Sequence, residues 1–290
     1  MKKITHKILR AFKDAVFPGR CIACNALYHR SSITGPAQKT VSEFIDTYSE
    51  EAQLSRFKSL MYPYLCSDCI NDYMPVVSPW CTKCGMMFQE TISENHLCGN
   101  CIKKPGRFGI LRSAAVYNGS MLNLIQAYKF RKKLQLARPL GLILFLLFKH
   151  LYLMENNSAT HPDIPDIIVP VPLHKKRFRR RKFNQVWLMI KDWNNSATVF
   201  NHTLSTAIRN DILIKIKMTI PQTGLDRESR KTNIKGTFLV NKPEAVKGKK
   251  VLLVDDVYTT GATADECTKA LLKAGAGNVD VLTLARTQAV

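Results

Sequence analysis

Apolar residues in this chain fall into short unbroken runs, separated by stretches with helical spacing. Residues 251–254 (Val-Leu-Leu-Val) form one such run, with no polar position to face solvent, as expected of a strand covered on both faces. Runs at 111–117, 166–171, 212–218 and 279–285 predict further strands. Between them, 120–128 and 134–151 read as helices, the second broken at Pro139, and another helix follows Phe183-Asn184-Gln185. After residue 263, Ala264, Cys267, Leu271 and Ala274 recur at the spacing of one helix face, with Cys267 as a small buried hydrophobe. Strands alternating with helices predict an α/β fold, a doubly wound parallel sheet.

Upstream the pattern is weaker. Ile4, Ile8, Phe12 and Val16 suggest an amphipathic helix packed on its own protein, and 43–60 a second helix inside the polar tract 31–60. Composition changes at Pro105-Gly106, which divides the chain into an N-terminal part, 1–107, and an α/β part, 108–290. No internal repeat stands out beyond four cysteine pairs.

The strand at 251–254 runs into Asp255 and Asp256, then a turn of small residues, Thr259, Thr260, Gly261, Ala262 and Thr263. Open α/β sheets bind ligands at the carboxyl ends of their strands, which is where this pair falls. Backbone N–H groups at the start of the following helix, with the threonine hydroxyls, suit a phosphate. The carboxylates suit ribose hydroxyls, or Mg²⁺ held through water. Together they point to capture of a ribose phosphate. The competing interpretation is an ordinary βα unit whose acidic pair caps the strand.

Eight of the nine cysteines form Cys-x-x-Cys pairs: Cys21/Cys24, Cys66/Cys69, Cys81/Cys84 and Cys98/Cys101. Two such pairs make a closed tetrahedral zinc site of structural type. Cys98 follows Cys84 after a short tract and Gly85 suits a knuckle turn, so the last four are expected around one ion. The first four are the natural complement, although an interleaved arrangement is open. His29 and His96 read as exposed loop residues. Disulfides are disfavoured here, because the basic segment 1–17 lacks the apolar core of a secretion signal.

The chain has 290 residues and a formal charge of +21, which favours polyanionic partners. Its longest apolar run, 140–148, is too short to span a bilayer, so a cytoplasmic protein without an integral membrane segment is expected. The densest charge is Lys175, Lys176, Arg177, Arg179, Arg180, Arg181 and Lys182, around Phe178 and followed by Phe183. Cations tracking a phosphate backbone while Phe178 and Phe183 stack on bases would bind single-stranded DNA. A solvated basic helix face is the plainer alternative.

The segment 251–263 resembles the diphosphosugar-binding signature of type I phosphoribosyltransferases. Cysteine pairs, Val-Pro-Val-Pro-Leu-His at 169–174, the basic run, Phe-Asn-Gln, Pro-Gln-Thr-Gly-Leu at 221–225 and the phosphate loop occur in the order seen in the ComF family (ComFC and GntX-like proteins). The resemblance implies phosphoribosyl pyrophosphate with magnesium as ligand. Asp255 and Asp256 would hold the ribose, and residues 259–263 its 5′-phosphate. His174, Lys175 and Lys176 would meet the pyrophosphate, and Arg227 or Arg230 would neutralise it as it leaves. It further implies a natural-transformation factor acting on incoming single-stranded DNA, with a translocation helicase as partner. An active magnesium-dependent phosphoribosyltransferase, using an unidentified base and without a direct DNA role, is the alternative. Two departures stand out: Lys182 replaces an expected glycine, and the insertion after Cys24 is long.

Overall fold

The computed structural model describes residues 18–29, 48–88, 94–154, 163–200, 204–218 and 234–288. The strands are β1 (Gly19–Arg20), β2 (Leu27–Tyr28), β3 (Leu111–Val116), β4 (Ile167–Pro170), β5 (Ala207–Ile208), β6 (Leu213–Lys215), β7 (Phe238–Val240), β8 (Lys250–Tyr258) and β9 (Asn278–Arg286). The helices used below are α1 (Glu50–Met61), α2 (Ser67–Asn71), α3 (Gly99–Lys103), α4 (Gly119–Phe130), α5 (Ala137–Tyr152), α6 (Lys175–Arg181), α7 (Gln185–Ile190), α8 (Trp193–Val199) and α9 (Ala262–Lys273).

Five strands form one parallel sheet in the order β3-β9-β8-β4-β5, so the expected architecture is present. β8 sits between β9 and β4, which explains its continuous apolar sequence. Leu252 and Val254 face one core with Ile168, Leu282 and Leu284, whereas Val251 and Leu253 face another with Val169, Val279 and Val281. This alternation across the pleat gives each face its own helices. α4, α5, α7 and α8 cover the first face, and α9 covers the second through Ala264, Cys267 and Leu271.

Several elements differ from the sequence-based expectation for identifiable reasons. Pro139 does not break its helix: it occupies the first turn of α5, where a missing N–H leaves no bond unmade. Residues 212–218 contribute only β6, which pairs antiparallel with β7 outside the main sheet. Leu134–Tyr152 is long and apolar enough by composition to cross a membrane, yet most of its apolar side chains are buried in the first core. At Gly141 a Cβ would lie 2.2 Å from the Met189 carbonyl, so glycine is what allows α5 to approach α7. The amphipathic pattern of 4–16 and most of the polar tract lie outside the described residues.

The cysteine-bearing segments are packed into these same cores. Cys21, Phe57, Met61, Leu65 and Cys66 share the first core with α4 and α5, while Cys81, Cys84, Cys98 and Cys101 share the second with Phe108 and Leu111. Val76 N–H donates to the Ala114 carbonyl and Val116 N–H to the Met74 carbonyl, so residues 74–76 extend the sheet beyond β3.

Candidate functional site

β8 carries the carboxylates. The strand runs through them, because pairing with β9 continues from Lys250↔Asn278 to Tyr258↔Arg286. Asp256 is 6 % exposed, and both its oxygens are engaged. Lys129 Nζ on α4 lies 2.6 Å from Oδ1, and Gln185 Nε2 on α7 donates to Oδ2 at 2.7 Å. Gln185 is fixed in turn by Arg181, whose Nη1 donates to its Oε1 at 2.5 Å, while Tyr128 donates to its backbone carbonyl at 2.9 Å. A buried carboxylate is tolerable only with such partners.

Asp255 is held differently. One oxygen accepts the backbone N–H of Asp256 at 2.8 Å, and among the described residues no donor meets the other. Burial, then repulsion from Asp256, pushes its carboxyl up to about 7, against the opposing pull of Lys129 and Lys215. With Asp256 neutralised, Asp255 is the carboxylate left to meet a hydroxyl or a hydrated cation. Magnesium fits this arrangement through water, and when bound with a diphosphate it would neutralise phosphate charge.

Thr259, Thr260 and Gly261 form the turn, and α9 begins at Ala262, so Ala262 and Thr263 belong to its first turn. Gly261 has φ 79°, and a Cβ there would lie 2.6 Å from the Tyr258 hydroxyl, so only glycine fits. Among the described residues, Thr260 Oγ1 is buried without a hydrogen-bond partner. An unpaired hydroxyl beside the amino end of a helix suits an incoming phosphate oxygen.

The basic run forms α6. His174 caps it, its Nδ1 accepting the Lys176 N–H at 3.2 Å. Asn184 caps α7 through the Val186 N–H and donates to the Val171 carbonyl at 3.1 Å, which anchors the run to the end of β4. The run is not one surface. Lys175, Lys176, Arg179, Arg180 and Lys182 are exposed, whereas Arg177 and Arg181 are half-buried. Phe178 is 47 % exposed, but Phe183 tilts against Tyr128 and packs on the core, so only Phe178 can meet a base. Arg227 and Arg230 lie outside the described residues.

The cysteines assemble as two sets, Cys21/Cys24/Cys66/Cys69 and Cys81/Cys84/Cys98/Cys101, with all sulfurs of a set within 4.8 Å of one another. A tetrahedral zinc–thiolate site with bonds near 2.3 Å has sulfur–sulfur edges of about 3.8 Å. Cys24–Cys66 measures 3.7 Å and Cys84–Cys98 3.8 Å, so both sets could hold zinc. Burial raises the thiols of Cys66, Cys69, Cys84 and Cys101, whereas backbone donors favour the thiolate form at one cysteine of each set. Burial pushes the Cys21 and Cys81 thiols up, but N–H groups of Cys24 and Cys66, and of Cys84 and Cys98, outweigh it and leave each at about 7. Each set is tied to the sheet: Arg131 donates to the Ile22 carbonyl at 2.7 Å, and buried Arg286 donates to the Cys84 carbonyl.

The phosphoribosyl transferase domain family matches residues 194–289. Competence protein F of Haemophilus influenzae is 32 % identical over 225 residues, 77 % of this chain and 90 % of its own length. DNA utilization protein YhgH of Escherichia coli K12 is 32 % identical over 208 residues, 71 % of this chain and 84 % of its own. The chain belongs to the ComF family. Competence protein ComFC of Bacillus subtilis is 28 % identical over 177 residues, 61 % of this chain and 64 % of its own.

Within the ComF pattern, the departure at Lys182 has a physical reading. Lys182 adopts φ 72° as the left-handed cap of α6, the conformation that an expected glycine would take without strain. Sequence reasoning missed Lys129 and Arg286. Gln185 was visible as the last residue of Phe-Asn-Gln, though nothing in that motif says its amide reaches Asp256. Lys129 is one of several lysines near the end of α4, and only the tertiary fold singles it out.

Proposed function

We propose that this ComF protein is a cytoplasmic natural-transformation factor that binds phosphoribosyl pyrophosphate, or a related ribose phosphate, with magnesium, and handles single-stranded DNA. The observation that carries this reading is the pairing of Asp255 and Asp256 on β8 with the Gly261 turn that opens α9. Asp255 orients the ribose hydroxyls and Asp256 holds Lys129 and Gln185 in place. Residues 259–263 take the 5′-phosphate, and His174, Lys175 and Lys176 lie where the chain leaves β4 to meet the pyrophosphate. The exposed cations of α6 extend beyond what one diphosphate needs, which supports contact with a DNA backbone. The cysteine sets act as structural zinc sites of an N-terminal module, 1–107, against the phosphoribosyltransferase-like part, 108–290, and that module is a surface for a translocation helicase.

Turnover is the second reading: departing pyrophosphate would be stabilised by cations, Arg227 and Arg230 among them. Transformation efficiency in a naturally transformable host carrying Asp255→Asn/Asp256→Asn, with protein level measured, tests the link between pocket and DNA uptake. Loss at normal protein level is expected; wild-type efficiency would separate the pocket from transformation.

A further inference from the structure

Phe130 closes α4 with 66 % of its surface exposed, although Leu124, Ile125, Ala127 and Tyr128 of the same helix are buried in the first core. The Arg181 guanidinium lies over its ring, 5.3 Å from the centroid. That contact uses one face of the ring and leaves the opposite face to solvent. The pair stands beside the ribose carboxylates by two routes. Arg181 donates to Gln185 Oε1 at 2.5 Å, and Gln185 donates to Asp256 Oδ2 at 2.7 Å. Lys129, the residue before Phe130, reaches Asp256 Oδ1 at 2.6 Å. Phe130 and Arg181 are thus each one step removed from a side chain that grips Asp256.

The direction of a bound sugar brings its far end to this pair. Successive residues of a strand face opposite ways, so Asp256 lies on the side of α4 and α7, and Asp255 on the side of α9 with Val251 and Leu253. A ribose 5-phosphate with its phosphate in the turn before α9 and its ring at Asp255 has its anomeric carbon directed away from α9. The reason is covalent: the anomeric carbon and the carbon that bears C5 flank the ring oxygen. A substituent on the anomeric carbon therefore projects past Asp256 toward Phe130. What suits that position is a flat ring with polar edges. The open face of Phe130 offers stacking area. Arg181 has five N–H donors and, among the described residues, gives one to Gln185, so ring nitrogens or carbonyl oxygens can accept others.

We infer that the Phe130–Arg181 pair seats the heterocyclic base of a nucleoside 5′-monophosphate whose ribose lies on Asp255. The inference rests on the reading above that β8 and the α9 turn hold a ribose phosphate, and it names what the sugar carries. It gives the exposed ring at the end of α4 a ligand that neither the phosphate loop nor the cysteine sets supply.

The test is titration of the intact chain with AMP and with ribose 5-phosphate, each with magnesium, for wild type, Phe130→Ala and Phe130→Trp. The position is exposed, so both variants keep the fold, which their melting transitions check. Wild type should bind AMP about tenfold more tightly than ribose 5-phosphate, the worth of one base stacked on an aromatic ring. Phe130→Ala should bring the two affinities together, and Phe130→Trp should keep them apart. The fluorescence that Phe130→Trp gains should be quenched by AMP and not by ribose 5-phosphate. Equal affinities in wild type, or an undiminished preference for AMP in Phe130→Ala, would overturn the base seat and leave the ribose reading standing. If wild type binds neither compound, the ribose reading fails and the seat falls with it.

Discussion

Lys129 Nζ lies 2.6 Å from Asp256 Oδ1, joining a helix on one face of the sheet to the central strand. Both side chains are largely buried, at 16 % and 8 % exposure. Removing the lysine would strand a carboxylate whose remaining partner is the Gln185 amide. Lys129→Met should therefore cost about 3–5 kcal/mol in urea unfolding. Adding Asp256→Asn should restore much of that loss, and the double-mutant cycle measures the coupling.

Asp255 predicts a pH dependence of opposite sign to the usual acidic residue. Its folded value is about 7, against about 4 for an unfolded aspartate. Below both values the group is protonated in either state and costs nothing. As pH rises through this window the folded chain is forced to hold an unwelcome charge, so stability falls. Urea melts at pH 6 and pH 8 should show wild type losing stability relative to Asp255→Asn. Taking the difference between the two proteins cancels the acid lability of the thiolates that they share. A magnesium-bound diphosphate should favour the ionised form, so binding below pH 7 should release protons.

Lys182 has φ 72° with its side chain in solvent. Lys182→Gly removes that backbone strain and should stabilise the protein by about 0.5–1 kcal/mol. Lys182→Val, with a β-branched side chain in the left-handed region, should destabilise it. Denaturant midpoints for the three proteins test the order.

Both cysteine sets match zinc geometry, the second buried within its hydrophobic core and the first anchored in its core through Cys21 and Cys66, so metal and fold should be linked. Purified protein should contain two zinc ions per chain, and Cys98→Ser should hold one. Chelation should cost several kcal/mol, lowering the melting temperature by roughly 10 °C. Because Arg286 joins the Cys84 carbonyl to the Tyr258 ring beside Gly261, loss of the second zinc should also loosen the phosphate loop. Hydrogen exchange at residues 259–263 in Cys98→Ser would report it.

The parts legible in sequence were those whose chemistry is local. The strand–carboxylate–turn–helix order at 250–273 needs only an apolar run, two acids and small residues. Its apolar run predicts too short a strand, because the patterning stops at Asp255 while backbone pairing with β9 continues to Tyr258. The last four cysteines are close in sequence and were paired from spacing. The first four, separated by the long insertion, needed the fold to bring Cys24 to Cys66. Least legible were the contacts that set protonation and position, Lys129 and Gln185 on Asp256 and Arg286 on Cys84, which join residues 71 to 202 positions apart.

The central claim is that Asp255 on β8 and the turn into α9 hold a ribose phosphate, with Asp256 keeping Lys129 and Gln185 in place beside them. Isothermal titration with phosphoribosyl pyrophosphate and magnesium tests it most directly. Wild type should bind one ligand per chain saturably, and Asp255→Asn/Asp256→Asn, shown to be folded by its melting transition, should give no binding heat. Unchanged affinity in that variant, or no binding by wild type, would contradict the account.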